Sequence, residues 1–183
     1  GMMVLTPANF AELRTMLRWA VEVYNGPVAV RYPRGNAEVP SIVADTAFCP
    51  STVLTRCSGQ DVTLIGYGTL LLELEAAAQL LKEKGIQATV LQLQSVSHYS
   101  REQLTASIRG KHVFVIEEIC SGSGISGEIA LTLRNNGSDC VVHPMDLGSS
   151  FVPHGSMRSL YELTGIDRVS ICKSVEEVLR HEN

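Results

Sequence analysis

The sequence lacks the features that mark membrane proteins and nucleic-acid-binding proteins. Its 183 residues carry a net charge of −4, and no basic run is present that would attract a polyanion. The longest apolar stretch, 70–81, is interrupted by Glu73, Glu75 and Gln79, so we predict no membrane-spanning helix. The N-terminus has neither the basic start nor the cleavage site of a signal peptide. These absences favour a cytoplasmic protein.

Cysteines with metal-ligand spacing are also absent. The number of cysteines is odd, and no two of them form a Cys-x-x-Cys pair. The histidines are equally scattered along the chain. We therefore expect no metal site and five reduced thiols, most of which pack as small apolar side chains, at Cys49, Cys57, Cys120, Cys140 and Cys172.

The sequence does contain enough apolar residues for one compact α/β domain with a short appendage, because 45% of the chain is hydrophobic. In the appendage, Thr6 is a suitable helix cap and Pro7 suits the first helical position. Apolar residues then recur at spacings of three and four and predict one apolar helix face, formed by Phe10, Leu13, Leu17, Ala20, Val21 and Tyr24. A short strand is predicted over 28–32.

The rest of the chain divides into a linker and a domain. Residues 33–60 contain several prolines and glycines and no long periodic segment, which predicts a linker over 36–60 with a short strand at 52–55. From Asp61 onward, strands and helices alternate, and the last helix is expected over 174–181. This alternation predicts a three-layer α/β/α domain over 61–183, built on a mostly parallel five-stranded sheet. Residues 1–35 then belong to a neighbouring domain.

A glycine-rich segment between a strand and a helix, 122–127, matches the Gly-x-Gly-x-x-Gly pattern of dinucleotide-binding loops, and Asp146 follows at a suitable distance. The tight turn should come directly after the strand, so that a diphosphate lies on the helix N-terminus. Here Glu117 and Glu118 intervene, and their carboxylates would repel a phosphate. We therefore interpret the glycines as a close-packed loop, and keep a small nucleotide-binding regulator as an alternative.

Three other groups of residues are candidates for chemistry. Glu117 and Glu118 could act in acid–base catalysis, or one of them could cap or pair while the other faces solvent. Arg31, in Arg-Tyr-Pro-Arg-Gly, offers a planar fork for a phosphate or carboxylate, or for an inter-domain salt bridge. His154 and Ser156 lack a third partner for nucleophilic catalysis, and Ser156 is better explained as a helix cap.

Taken in order, several segments resemble the C-terminal region of the 1-deoxy-D-xylulose-5-phosphate synthases, which are members of the transketolase family. The segments that carry this resemblance include GPVAVRYPRGNAEVP, DVTLIGYGTLLLELEAAAQLLKEKGIQATVLQLQ, VFVIEEICSGSGISGEIA and SFVPHGSMRSLYELTGID. The resemblance implies that 1–35 is the tail of a pyrimidine-binding domain and that 61–183 is a transketolase C-terminal-like domain. It also implies a parent enzyme that forms a homodimer.

The family's reaction gives the resemblance a functional meaning. Its members use thiamin diphosphate and magnesium to decarboxylate pyruvate and transfer the two-carbon unit to glyceraldehyde 3-phosphate, in isoprenoid precursor synthesis. The segments that hold the cofactor and the metal are missing from this chain. We therefore expect the chain to be non-catalytic alone, to bind neither group, and to need the missing domains of the same enzyme as partners. A subunit of a split or divergent enzyme, or a free-standing interaction module, is the alternative.

One substrate contact of the family falls within the chain. By resemblance, Arg31 helps to hold the phosphate of the aldehyde substrate. A second family arginine stands where this sequence has Gln94. A neutral amide does not replace a guanidinium on a dianion, and a lost charged hydrogen bond costs about 1.5–3 kcal/mol. Weaker acceptor binding, use of other residues and a different acceptor all remain open.

Overall fold

The computed structural model describes residues 1–33 and 48–181. The N-terminal unit is a β–α–β arrangement of β1 (Met3–Leu5), α1 (Phe10–Glu22) and β2 (Val28–Val30). The two strands pair in parallel, with Leu5 opposite Val30. The structure therefore adds a strand, β1, to the helix and strand predicted from the sequence.

The main sheet has five strands in the order β3-β5-β4-β6-β7. Four of them run parallel, and β3 is an antiparallel edge strand hydrogen-bonded to β5. The prediction of a mostly parallel five-stranded sheet is confirmed, and the short strand expected at 52–55 forms as β3. The strands are β3 (Val53–Cys57), β4 (Val62–Gly66), β5 (Ala88–Leu93), β6 (His112–Ile116) and β7 (Val141–Met145).

Helices cover both faces of this sheet, which confirms the three-layer prediction. Since successive residues of a strand point to opposite faces, the central strands bury side chains on both sides and read as continuous apolar runs. Leu64 and Phe114 face a core formed with α2 and α6, whereas Ile65 and Val115 face a core formed with α3 and α4. The helices are α2 (Leu71–Glu83), α3 (Arg101–Ser107), α4 (Ser126–Asn135), α5 (Met157–Thr164) and α6 (Arg168–Arg180).

The cap predicted for α1 and the start predicted for the last helix were wrong. Helix α1 is capped by Asn9, whose side chain accepts a hydrogen bond from the backbone N–H of Glu12, and not by Thr6. The hydroxyl of Thr6 instead donates to the carbonyl oxygen of Leu93. Helix α6 begins at Arg168 behind the Asp167 cap, rather than at Ser174. The cap is an amide oxygen in α1 and a carboxylate oxygen in α6.

The apolar face predicted for α1 is buried only in part, since Tyr24 of that face packs against the core of the N-terminal unit. The helix packs on β1 and β2 through Met16, which is fully buried. By contrast, Phe10, Leu17 and Val21 are 49%, 45% and 85% exposed. Helix α1 therefore has two apolar sides. One covers its own strands, and the other is open to solvent in the described residues.

Strand β1 joins the N-terminal unit to the main sheet. Beyond the end of β5, the carbonyl oxygen of Gln94 accepts from the N–H of Thr6 at 2.9 Å, and the N–H of Val96 donates to the carbonyl oxygen of Val4 at 3.1 Å. An isolated antiparallel bridge pairs Leu5 with Ser95. Because β1 is also paired with β2, these bonds place β2 and Arg31, the residue that follows it, at the carboxyl edge of the main sheet.

Candidate functional site

Arg31 follows β2 and reaches the carboxyl edge of the main sheet. Its backbone N–H donates to the carbonyl oxygen of Leu5 at 2.8 Å, which fixes its main chain. Its guanidinium lies over the ring of Tyr67, 5.5 Å from the centroid, and Nη2 donates to the carbonyl oxygen of Glu118 at 2.9 Å. The side chain is still 43% exposed. Arg31 is thus held in place and remains accessible to a ligand.

Glu117, the first residue after β6, is buried, and both of its carboxylate oxygens accept hydrogen bonds. Its Oε1 accepts from the Tyr67 hydroxyl at 3.0 Å and from the N–H of Ile125 at 2.9 Å. Its Oε2 accepts from the N–H of Ser126 at 3.1 Å. Burial, together with the Glu117 carboxylate, raises the pKa of Tyr67, so the phenol keeps its proton and stays a donor.

This arrangement decides what the glycine-rich loop does. The N-terminus of α4, where a dinucleotide loop would hold a diphosphate, already holds the carboxylate of Glu117. A Cβ at Gly124 would collide with that carboxylate, so the glycine is needed for the loop to close over it. The interpretation of 122–127 as a close-packed loop fits this geometry, and a nucleotide phosphate has no place there.

Glu118 is the neighbour of Arg31 and belongs to a second tyrosine–glutamate pair. The hydroxyl of Tyr161 on α5 donates to Glu118 Oε1 at 2.5 Å. The other oxygen, Oε2, lies 3.9 Å from Arg31 Nη2. The expectation that one glutamate caps a helix while the other faces solvent therefore holds for Glu117 only. Glu118 is instead held by Tyr161 and Arg31. The two glutamates are therefore not arranged as an acid–base pair.

Gln94 lies just after β5 and is buried. Its carbonyl oxygen binds the N–H of Thr6, while the carbonyl oxygen of Leu5 binds the N–H of Arg31. The two predicted substrate positions, Arg31 and Gln94, therefore flank the same short stretch of main chain. Arg34, the second arginine of the Arg-Tyr-Pro-Arg-Gly segment, lies outside the described residues.

The remaining candidates have structural roles. The carboxylate of Asp146 accepts from the Ser121 hydroxyl and from the N–H of Gly148, so it ties two loops of the sheet edge together. Ser156 caps α5 by accepting from the N–H of Ser159, as predicted. Residues 146–153, which follow β7, line an open cavity of about 390 Å³.

All five cysteines are free thiols. Within 1–33 and 48–181, no group of three or more His, Cys, Asp or Glu side chains could hold a metal ion. Over the same residues, none of the helices is both long and apolar enough to cross a membrane.

Sequence reasoning missed the two tyrosines of the cluster. Tyr67 lies between two glycines at the end of β4, where a ligand-facing residue is common, and that position was the available signal. Tyr161 lies on a helix far along the chain, and only the fold brings it to Glu118. We call the five residues Arg31, Tyr67, Glu117, Glu118 and Tyr161 the arginine cluster.

Comparison with known proteins identifies the domain. The family model for "Transketolase, C-terminal domain" matches residues 51–171 and leaves β1, α1 and β2 outside. The 1-deoxy-D-xylulose-5-phosphate synthases of Heliobacterium modesticaldum and Thermomicrobium roseum are each 32% identical, over 97% and 93% of this chain. The chain spans only 28% of the length of either relative.

Solved structures agree with this result. A split-gene transketolase, described as an inactive beta4 tetramer, superposes with a TM-score of 0.82 at 26% identity, covering 98% of this chain and 57% of that one. A transketolase of Pichia stipitis shares the fold, with a TM-score of 0.71 at 17% identity over 96% of this chain and 25% of that one. The resemblance noted in the sequence is confirmed, and the chain belongs to the family of transketolase C-terminal domains.

Proposed function

We propose that this chain is the C-terminal part of a thiamin-diphosphate-dependent synthase that joins pyruvate and glyceraldehyde 3-phosphate to form 1-deoxy-D-xylulose 5-phosphate, and that it is non-catalytic alone. One observation carries this proposal. The whole chain matches synthases of that name, yet it amounts to only 28% of their length. Its own contributions are then packing against the missing domains, support of the dimer, and one substrate contact.

The cofactor groups do not fit the described residues. Over 1–33 and 48–181, no group of three or more His, Cys, Asp or Glu side chains is placed to hold a metal ion. The helix N-terminus behind the glycine-rich loop is filled by Glu117, so it offers no diphosphate site. We therefore assign thiamin diphosphate and magnesium to the missing domains of the parent and derive no step through them here.

Arg31 supplies the substrate contact in this proposal. One of its N–H donors binds the carbonyl oxygen of Glu118, and the half-exposed guanidinium retains others for a phosphate oxygen. Gln94 has no charge to add at the position of the second family arginine. A dianion would therefore meet one guanidinium from these two positions instead of two. A weaker contact, other residues or a different acceptor would each account for this substitution.

The packing role rests on the N-terminal unit. Two parallel strands are too few to form a stable sheet, and parallel sheets are normally covered on both faces. In the described residues β2 pairs only with β1, and the second apolar side of α1, Phe10, Leu17 and Val21, is open. A further strand along β2, with apolar residues against α1, would complete the unit. The rest of a pyrimidine-binding domain has this chemistry.

A subunit of a split enzyme is the second candidate. It is favoured by the split-gene transketolase structure, which matches nearly all of this chain with a TM-score of 0.82. In that case the missing domains come from a separate polypeptide and pack on the same α1 and β2 surface.

The test combines the mass of the natural gene product with two assays. The 183-residue chain, given thiamin diphosphate, magnesium, pyruvate and glyceraldehyde 3-phosphate, is expected to release no carbon dioxide. The intact enzyme, as one chain or as a complex, is expected to form the 1-deoxy sugar phosphate. Calorimetry of the isolated chain that detected micromolar thiamin diphosphate binding would contradict the proposal. A gene product of 183 residues that acts with a second polypeptide would select the split enzyme.

A further inference from the structure

The arginine cluster contains an ion pair that is left open. Glu118 Oε2 lies 3.9 Å from Arg31 Nη2, beyond hydrogen-bonding distance. Nη2 instead donates to the main-chain carbonyl oxygen of Glu118, at 2.9 Å. The carboxylate therefore lies beside the guanidinium as a long ion pair without accepting a hydrogen bond from it.

Tyr161 accounts for this geometry. Its hydroxyl donates to Glu118 Oε1 at 2.5 Å, which is a short hydrogen bond to a charged acceptor. Burial, together with Glu118, raises the pKa of Tyr161, so the phenol keeps the proton that it donates. Because Tyr161 lies within α5, its hydroxyl is fixed relative to the sheet edge.

A second triad on the same chain shows the contrasting case. Arg101, Glu128 and Tyr99 also combine an arginine, a glutamate and a tyrosine. There the tyrosine and the arginine bind the same carboxylate oxygen, and Arg101 Nη2 lies 2.6 Å from Glu128 Oε1. That ion pair is closed, so its arginine is already neutralised.

We propose that Tyr161 is a positioning residue whose hydroxyl holds the Glu118 carboxylate away from Arg31, so that the remaining guanidinium donors stay available for a phosphate group. This inference rests on the proposed function, in which Arg31 binds the phosphate of the acceptor. It adds a residue from α5 to that site, acting through Glu118. Without the hydroxyl, the carboxylate closes on Arg31 and competes with the ligand.

The experiment titrates the 183-residue chain with inorganic phosphate at constant ionic strength and follows the Nε–Hε signal of Arg31 by NMR. Tyr161→Phe is expected to weaken phosphate binding about three- to fivefold, the size of one surface ion pair. Glu118→Gln should strengthen binding, because it removes a neighbouring negative charge. The double variant should bind as well as Glu118→Gln. Tyr99→Phe, which removes the equivalent hydroxyl of the closed triad, should leave binding unchanged.

Two results would overturn the inference while leaving the proposed function intact. One is equal phosphate affinity in Tyr161→Phe and the natural chain. The other is a double variant as weak as Tyr161→Phe, which would indicate a purely structural role for the tyrosine. If Tyr161→Phe fails to fold, Glu118→Gln decides alone, since a loss of affinity there would contradict the proposal. Phosphate binding that survives in Arg31→Gln would instead refute the proposed function.

Discussion

Glu117→Gln tests whether the buried carboxylate is the anchor of the glycine-rich loop. Glutamine has the same shape, but one of its terminal atoms is an N–H donor. In Glu117, Oε1 accepts from Tyr67 and Ile125, and Oε2 accepts from Ser126. The amide nitrogen must therefore face at least one N–H or O–H donor. It is least costly at the position of Oε2, where it loses only the bond from Ser126.

The expected cost follows from these contacts. Losing one hydrogen bond to a charged group costs about 1.5–3 kcal/mol. Removing a negative charge from the N-terminus of α4 costs about 0.3–1 kcal/mol more. The free energy of unfolding should therefore fall by about 2–4 kcal/mol, which lowers the thermal midpoint by about 4–16 °C for a domain of this size.

Thermal unfolding followed by circular dichroism measures this effect. Glu128→Gln is a matched control, because Glu128 lies in the first turn of the same helix but is 41% exposed, and its partners are the side chains of Arg101 and Tyr99 rather than the backbone of the loop. Its loss should cost less than about 1 kcal/mol. If both variants lowered the midpoint equally, the helix charge alone would explain the effect, and the role of Glu117 as the loop's anchor would be refuted.

Three further predictions concern acid stability, substrate binding and assembly. Hydrogen bonds from Arg168 lower the pKa of Glu73, so this pair stabilises the fold above the unfolded pKa of about 4.3 and is lost as the pH falls below it. In chemical denaturation between pH 7 and pH 3, Glu73→Gln should therefore show a shallower acid loss of stability than the natural chain. In the intact enzyme, Arg31→Ala should raise the KM for glyceraldehyde 3-phosphate about 10- to 100-fold, with little effect on that for pyruvate; equal effects on both would indicate a structural role. Val21→Asp should barely change the midpoint of the isolated chain, because Val21 is exposed, yet it should prevent assembly of the intact enzyme in size-exclusion chromatography; normal assembly would contradict the packing role of α1.

The main sheet was predictable because its strands can be recognised from local sequence patterns. The strands β4 and β6 are short apolar runs bounded by turns, and they alternate with helices, so the parallel topology follows from the pattern. β1 was not predictable in this way. It has three residues, and its identity as a strand depends on β2 and on the segment after β5, both distant in sequence. The cap of α1 was predicted wrongly for a similar reason, because the hydroxyl of Thr6 donates to the carbonyl oxygen of Leu93 in β5, which is distant in sequence.

The arginine cluster was predictable only in part. Arg31 and the two glutamates follow strands directly, and all three were identified as candidates from their residue types and positions, Arg31 also from the family resemblance. The different roles of Glu117 and Glu118 depend on their partners, since Tyr67 binds the first carboxylate and Tyr161 binds the second. No sequence pattern indicates these two pairs. The apolar side of α1 was recognised from its period, but the period cannot tell which of two apolar sides is buried within the chain.

The double attachment of β1 has a mechanical consequence. One edge of the strand is paired with β2 and the other with the segment that follows β5, so the backbone leading to Arg31 is linked to the main sheet through hydrogen bonds rather than through a flexible tether. Any displacement of the main sheet would therefore carry the backbone of Arg31 with it. Variants that weaken the hydrogen bonds of β1 would displace Arg31 without altering any residue of the arginine cluster.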